Sequence, residues 1–438
     1  MDTIFAQSSA RGKAGVAIFR ISGPNSLAAM ETLTDIQNIT PRMLHLKTLT
    51  SSRSNENKVV IDNAMVVYFK APNSFTGEDV VEIHTHGSIA IAQLLTESLL
   101  SAGLLRLAEP GEFAKRAFLN GKLDLTSAEG LADLIEAETI MQHRQAMRQM
   151  SGELEKLYGG WRKELLGIIS FLEAYIDFPD EDIPDSVLQN AEDKIHNLTL
   201  TLQKHLSDNR RGERLRNGLK LTILGAPNVG KSSLLNFLAQ REIAIVSDIA
   251  GTTRDVIETH LDIGGYPIIL TDTAGIRKDT EDLIEKEGIK RALKEASHSD
   301  IKLVMFEADS RSPEIEELID FETILVMNKI DLYPETSNVG VIPISLKLGK
   351  GLDALLKAIE QKAESISPPS EAPSITRLRQ RTHIEQGLSA LQCCNLHEDL
   401  VLATEDIRIA VRAFEAITGK LEVDEILGEI FSNFCIGK

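Results

Sequence analysis

The chain has 438 residues, 42% of them hydrophobic and 5% aromatic, and a formal net charge of −18. At about 150 residues per domain, this length predicts roughly three domains with cores of their own. The acidic balance argues against a broad nucleic-acid-binding face, because backbone binding uses Lys and Arg to displace counterions; a local basic patch, or a partner that holds the nucleic acid, stays open. The three cysteines, Cys393, Cys394 and Cys435, show no C-x-x-C spacing and signal neither a disulfide framework nor a zinc ribbon. The opening MDTIFAQSSARGKAG lacks an apolar core, and no run of about 18 apolar residues occurs. Neither a signal peptide nor a membrane span is expected, and the cytoplasm is the default location.

In chain order, residues 1 to about 120 mix short strand-like runs with one helix. Ala14–Ile21, Ala64–Phe69 and Val80–Ile83 predict strands, and Ile89–Ala102 an amphipathic helix. From about Ser127 to Asp177 apolar residues recur at helical spacing, among them Leu131, Leu134, Ile135, Leu165, Ile168, Ile169 and Leu172. The acidic, proline-flanked DFPDEDIP (Asp177–Pro184) interrupts this pattern, and a second helical stretch runs from about Ser186 to Leu206. NRRGERLRNG (Asn209–Gly218) is basic and polar and reads as a boundary. Beyond it, strands Leu219–Leu224, Ile268–Leu270, Ile301–Phe306 and Ile324–Val326 alternate with helices, the pattern of a parallel sheet with helical crossovers. SPPSEAPS (Ser367–Ser374) reads as a linker, and Ile375 to the end as helix again. An α/β module is thus inserted between two helical segments.

The sharpest chemical signal is LTILGAPNVGKSSLLNFL (Leu221–Leu238), in which Gly225, Gly230, Lys231 and Ser232 fit G-x-x-x-x-G-K-[ST] between a strand and a helix. The glycines let backbone N–H groups wrap phosphates, and the helix N-terminus favours their charge. Lys231 is expected to reach the β- and γ-phosphates, and the Ser232 hydroxyl to ligate Mg²⁺. DTAG (Asp272–Gly275) follows the strand at Ile268–Leu270; an Asp there can bind Mg²⁺ through water, and the glycine amide can sense the γ-phosphate. Asn328, Lys329 and Asp331 form an N-K-x-D run after the apolar ILVM. The Asp331 carboxylate can accept from guanine N1–H and the 2-amino group, which adenine does not offer, so GTP is favoured over ATP. Ser345, Leu346 and Lys347 fit the fifth loop, with Leu where Ala is usual. SDIAGTTRDV (Ser247–Val256) stands where a switch I loop belongs, and Thr253 is a candidate Mg²⁺ ligand there. A capped polar loop is the alternative for that segment. The Gln that orients water in Ras-like proteins is replaced by Ile276, so another polar group and another positive charge must come from a partner, a second subunit or a bound cation.

Taken with the outer motifs RISG (Arg20–Gly23), SFTGEDVVEIHTHG (Ser74–Gly87), PGEFAKRAFLNGKLDL (Pro110–Leu125), DFPDEDIP and the CIGK tail, the chain resembles the MnmE (TrmE) family of tRNA-modification GTPases over nearly its whole length. The resemblance implies an α+β multidomain protein. Its parts would be an N-terminal α/β folate-binding and dimerisation domain at 1–119, a discontinuous helical domain at 120–214 and 369–438, and an inserted Ras-like α/β P-loop G domain at 215–368. It implies a homodimer that joins the flavoprotein MnmG (GidA) in a heterotetramer and acts on tRNA through that complex, with no membrane. The implied chemistry places an aminomethyl-type group on C5 of the wobble uridine, using a one-carbon unit from 5-formyl- or methylene-tetrahydrofolate. GTP is the substrate, with Mg²⁺ and K⁺ as cofactors. A ribosome-assembly GTPase, or a nucleotide-dependent binding switch with negligible turnover, are the alternatives.

Nucleotide contacts are then expected at Asn228, Val229, Gly230, Lys231, Ser232 and Ser233; at Ser247, Asp248, Ile249, Ala250, Gly251, Thr252 and Thr253; at Asp272, Thr273, Ala274 and Gly275; and at the N-K-x-D and fifth-loop residues above. The resemblance implies that K⁺ is held by Asn228, Ser247, Ile249 and Thr252, taking the arginine-finger role. It also implies that Glu285 orients water through a second water; a solvated helix glutamate is the other reading. Arg20, Glu82, Lys122 and Lys438 are implied folate contacts, with surface ion pairing as the alternative for the first three. His84 and His86 share a strand face and could pair on a metal, without a nearby third ligand. Arg210, Arg211, Arg214, Arg216 and Arg377, Arg379, Arg381 flank the G module as tRNA or MnmG contacts, or as solvated surface. The tail does not fit a prenylation box, since Gly437 and Lys438 stand in its last two positions. Cys435 reads either as a catalytic thiol toward uridine C6 or as a packed helix-end cysteine.

Overall fold

The computed structural model describes residues 2–36, 38–51, 59–177, 185–240, 258–271, 297–307, 319–333, 340–369, 372–420, 424–432, 434, 436 and 437. It divides into two compact units, residues 1–132 with 415–438, and residues 133–414.

The first unit is built on a six-stranded sheet. Its strands are β1 (Ile4–Gln7), β2 (Ala14–Ser22), β3 (His45–Thr50), β4 (Val60–Phe69), β5 (Val80–Gly87) and β6 (Arg106–Leu107), in the order β3-β4-β5-β2-β1-β6. All neighbours are antiparallel except β1 and β6. Helices Ser26–Leu33 and Ile89–Ser101 bury Ala29, Met30, Leu33, Leu95 and Leu99 with Phe19, Ile21, Val66, Val81 and Ile83 of the strands. Each fully buried Val, Leu, Ile, Met or Phe side chain among them contributes roughly 1.5–3 kcal/mol. Predicted strands in β2, β4 and β5 are present, β5 running on through the two histidines. The short β1, the polar edge strand β3 and helix Ser26–Leu33 were not foreseen. A smaller core joins Ala114, Leu125 and Ala128 to Leu427, Phe431 and Phe434, so the chain's last helix, Asp424–Ser432, packs on the N-terminal unit.

In the second unit the sheet comprises β7 (Leu219–Gly225), β8 (Glu258–Ile263), β9 (Tyr266–Thr271), β10 (Ile301–Glu307), β11 (Thr323–Asn328) and β12 (Val341–Pro343). The order is β12-β11-β10-β7-β9-β8; every pair is parallel except β8 with β9. The runs LTIL and LVMF are buried almost without alternation, as expected where helices cover both faces. Helix Leu352–Ile366 buries Leu352, Leu355, Ile359, Ala363 and Ile366 at spacings of three and four, and helix Lys231–Gln240 buries Leu234 and Leu238. This is the open, mostly parallel sheet of a Ras-like G domain.

The helical segments on either side of the α/β module meet within this unit. Helix Leu378–Cys393 packs on helix Asp185–Leu206. Thr376 donates to Gln149 at 3.0 Å, and the Trp161 ring lies 5.7 Å from that of Phe414. Arg381, 5% exposed, pairs with Asp208 at 2.7 Å and Glu213 at 2.6 Å. Arg216 and Arg377 converge on Asp133 at 2.8 and 2.7 Å, and Arg214 reaches Asp300 at 3.2 Å. Most of the basic residues flanking the G module are therefore committed to intramolecular ion pairs, while Arg210 stays exposed. The boundary segment itself forms helix Arg211–Asn217, too short and polar to show an apolar period.

His205 is wedged against Tyr158 and Trp161, with the Tyr158 hydroxyl 3.3 Å from its Nε2. Burial pushes this imidazole down from 6.5 to about 4, the nearby Arg211 and Arg381 adding to the effect and Asp208 opposing it. The folded chain holds His205 neutral, whereas the unfolded chain protonates it near pH 6.5, so its contribution is complete above that pH and fades as pH falls toward 4. We expect the melting temperature to drop through this window, and His205→Gln to shallow that slope in thermal melts taken from pH 7 to 4. An unchanged slope would contradict the assignment.

Candidate nucleotide site

The phosphate-binding turn leaves β7 at Gly225 and enters helix Lys231–Gln240. Its backbone takes positive φ at Gly225 (150°), Asn228 (63°) and Gly230 (108°). A Cβ at Gly225 would stand 2.2 Å from the Met305 carbonyl oxygen, and one at Gly230 2.4 Å from Asn328 Nδ2. Both positions thus require glycine for close approach as well as for backbone shape. Lys231 folds back over the turn and donates to the carbonyls of Gly225 and Ala226 at 2.7 and 2.8 Å. Burial pulls its ammonium below the usual lysine range. A charged donor bonded, among the described residues, to two neutral carbonyls fits an incoming polyphosphate. Ser232 and Asn228 are exposed, and neither side chain hydrogen-bonds among the described residues. Val229 is buried, and Ser233 faces out beside Ser232.

The base-reading loops are tied to this turn through Asn328. Its amide donates to the Val229 carbonyl at 2.8 Å and its Oδ1 accepts from the Leu346 N–H at 3.3 Å, so one 3%-exposed side chain joins three loops. Leu346 contributes its backbone, so a leucine in place of alanine does not disturb this link. Lys329, at φ 62°, donates to the Asn228 carbonyl at 3.0 Å and pairs with Glu307. Ser345 is fully buried; its hydroxyl donates to Asp331 Oδ1 at 2.7 Å and accepts from the Leu348 N–H at 3.2 Å. That bond, aided by Lys347 and Lys329, holds the Asp331 carboxyl below the usual carboxylate range. Glu307 was missed in the sequence. The signal available was an acidic residue closing β10, which the register sets opposite Asn328 and beside Lys329.

In the first unit Arg20 and Glu82 are direct cross-strand partners on β2 and β5, 2.8 Å apart. The guanidinium lies 5.3 Å from the Phe75 ring and 5.8 Å from that of Phe113. Phe113 is placed by helix Glu112–Leu119, which Arg116 fastens through Asp2, Glu78 and Glu112. Lys122 passes Gly77 in the loop after Phe75, its Cε 3.4 Å from where a Cβ would stand. His84 faces Glu82 at 3.4 Å and His86 faces Asp62 at 2.9 Å, so the two histidines have separate carboxylate partners. In the tail, Ile436 bridges to Pro110, and the Ser8 hydroxyl donates to the Gly437 carbonyl at 2.9 Å. Ser247, Asp248, Ile249, Ala250, Gly251, Thr252, Thr253, Asp272, Thr273, Ala274, Gly275, Ile276, Glu285, Cys435 and Lys438 lie outside the described residues.

Residues 3–122 match the family model described as GTP-binding protein TrmE N-terminus, and residues 125–435 that described as MnmE helical domain. The tRNA modification GTPase MnmE of Rickettsia bellii (strain RML369-C) is 59% identical over 448 aligned residues, covering 100% of both chains. That of Rickettsia rickettsii (strain Sheila Smith) is 58% identical with the same coverage. Among solved structures, the G domain of the T. maritima FeoB iron transporter is 25% identical over 33% of this chain and 98% of its own, with a TM-score of 0.26. On full-length identity and both family models, the chain belongs to the MnmE family of tRNA modification GTPases.

Proposed function

We propose that this protein hydrolyses GTP in a K⁺-stimulated cycle that drives modification of C5 of the wobble uridine in certain tRNAs, as a homodimer working with the flavoprotein MnmG. The observation that carries the GTPase half is the Asn328 cross-link. It fixes the phosphate turn, the N-K-x-D loop and the fifth loop as one frame, with the Lys231 ammonium and the Asp331 carboxylate available to a nucleotide.

Within that frame each residue has a distinct task. Lys231 exchanges its two carbonyl acceptors for phosphate oxygens, and the anion offsets the burial that weakens its charge. Asp331, kept ionised and aimed by Ser345, accepts from the guanine edge. Lys329 couples the base-reading loop to the phosphate turn through the Asn228 carbonyl. Ser232, with Thr253, would hold Mg²⁺, which supplies charge neutralisation between the phosphates. Asn228, with Ser247, Ile249 and Thr252, would hold K⁺, supplying the positive charge at the transferring phosphoryl that no arginine is assigned to give. Glu285 is the candidate for orienting water in place of the Gln that Ile276 replaces.

The one-carbon half rests on the first unit. A guanidinium, a carboxylate and two aromatic rings grouped at Arg20, Glu82, Phe75 and Phe113 suit a flat pterin ring with an anionic tail, and Lys122 stands one loop away. Gly437 lies beside Gln7, next to the residue paired with Arg20 across β1 and β2, which supports its chain neighbours Lys438 and Cys435 as candidates for the same site. Exposed Leu46 and Met65, opposite one another on β3 and β4, with Val60, support docking to a second copy. No helix among the described residues is long and apolar enough to cross a membrane. A cytoplasmic site of action fits that chemistry.

Steady-state GTP hydrolysis should run at least about tenfold faster in K⁺ than in Na⁺ at equal ionic strength, the scale of one well-placed charge. Equal rates in the two salts would remove the cation from the mechanism.

A further inference from the structure

We infer that Glu307 is a positioning residue for guanine nucleotides, acting through Lys329 and setting how slowly the nucleotide leaves. The inference rests on the nucleotide reading of the site above and names a residue outside its sequence motifs. Sheet register brings the carboxylate there. Met305 of β10 stands opposite Gly225, where the phosphate turn begins, and Glu307, two residues on, stands opposite Asn328 of β11. The Lys329 ammonium then meets two acceptors at once, the Asn228 carbonyl at 3.0 Å and the Glu307 carboxylate. A single cation thereby joins the end of β10, the N-K-x-D loop and the backbone of the phosphate turn.

A carboxylate one ammonium away from a phosphate-binding turn opposes an anionic ligand unless a cation takes up its charge. Lys329 does so, and both side chains are partly shielded, at 33% and 27% exposed. The pair also acts on entropy. A free lysine stem loses rotamer freedom when a ligand packs on it, and an ammonium held beforehand removes part of that loss. Lys329 and Asn228 both have left-handed backbone, with φ of 62° and 63°, a shape that residues bearing a Cβ keep only where contacts around them enforce it. Asn328 fixes the loop through its amide, and Glu307 fixes it by charge from the neighbouring strand. A partly exposed ion pair is a modest stabiliser, so the effect should be roughly three- to tenfold and fall mainly on nucleotide release.

The test is stopped-flow release of a fluorescent GDP analogue from the full-length protein, with steady-state GTP hydrolysis measured in parallel. Glu307→Gln keeps the shape of the side chain and removes its charge. We expect it to speed release and raise KM for GTP roughly three- to tenfold with kcat no lower, a split that general loosening of the fold would not produce. Glu307→Ala should give the same split, and it decides the matter if the first variant does not fold. In a Lys329→Met background Glu307→Gln should add nothing, because its partner is gone. Unchanged release and KM in the Glu307 variants, or effects that add in the double variant, would overturn the inference and leave the nucleotide site standing. Lys329→Met without effect on either nucleotide would instead remove the lysine from the site, and the inference with it.

Discussion

Replacing Asp331 by Asn should lower affinity for GTP by roughly 10²-fold or more and shift preference toward xanthosine triphosphate. The Ser345 hydroxyl already takes Oδ1 of this carboxylate at 2.7 Å and keeps it ionised at neutral pH. Guanine N1–H and the 2-amino group then meet an acceptor. An Asn amide brings a donor to the same edge, which opposes guanine and suits the C2 carbonyl oxygen of xanthine. Competition titrations with GTP, ATP and the xanthosine nucleotide measure the change. Retained guanine preference in Asp331→Asn would mean that another residue reads the base. Ser345→Ala should act in the same direction and more weakly, because it frees the carboxylate without removing it.

Lys231→Ala should reduce GTP hydrolysis by roughly 10²–10³-fold, the scale of a lost charge stabiliser at a transferring phosphoryl. The lysine lies over the turn that Gly225 and Gly230 shape, so loss of its ammonium removes the one described cation bonded to that turn's carbonyls at Gly225 and Ala226. Its alkyl chain is only part of the local packing, while Leu234 and Leu238 anchor the helix that follows. The variant should therefore stay folded while kcat falls and KM for GTP rises. Unchanged kcat with raised KM would assign Lys231 to ground-state binding alone.

The elements legible in the sequence are those whose signal is local. The phosphate turn is confined to eight residues between an apolar strand and a helix, and N-K-x-D lies against another apolar strand; both stand where the motif logic puts them. The parallel sheet announces itself through runs such as LTIL and LVMF, buried on both faces. What the sequence hides is pairing at a distance. The bond from Asn328 to the Val229 carbonyl spans 99 residues, and the Ser345 bond that sets Asp331 spans 14. The basic residues around the G module show the same limit. Read locally they suggest a nucleic-acid face, yet Asp133, Asp208, Glu213 and Asp300 absorb most of them from elsewhere in the chain. Strand β3 gives no clear signal because an edge strand whose exposed Leu46 and Thr48 alternate with half-buried His45 and Lys47 lacks a continuous apolar run. Arg20 and Glu82 are read as candidates from the resemblance alone; their cross-strand pairing beneath two aromatic rings is a property of register and of helix placement.

The account as a whole turns on GTP hydrolysis driving tRNA modification. Its most direct test is nucleoside analysis of tRNA from a strain lacking this protein, with and without complementation by the intact chain or Lys231→Ala. The account predicts wobble uridine left without its C5 group in the deletion strain, restored by the intact chain and not by the variant. Intact modification in the deletion strain, or full restoration by Lys231→Ala, would contradict it.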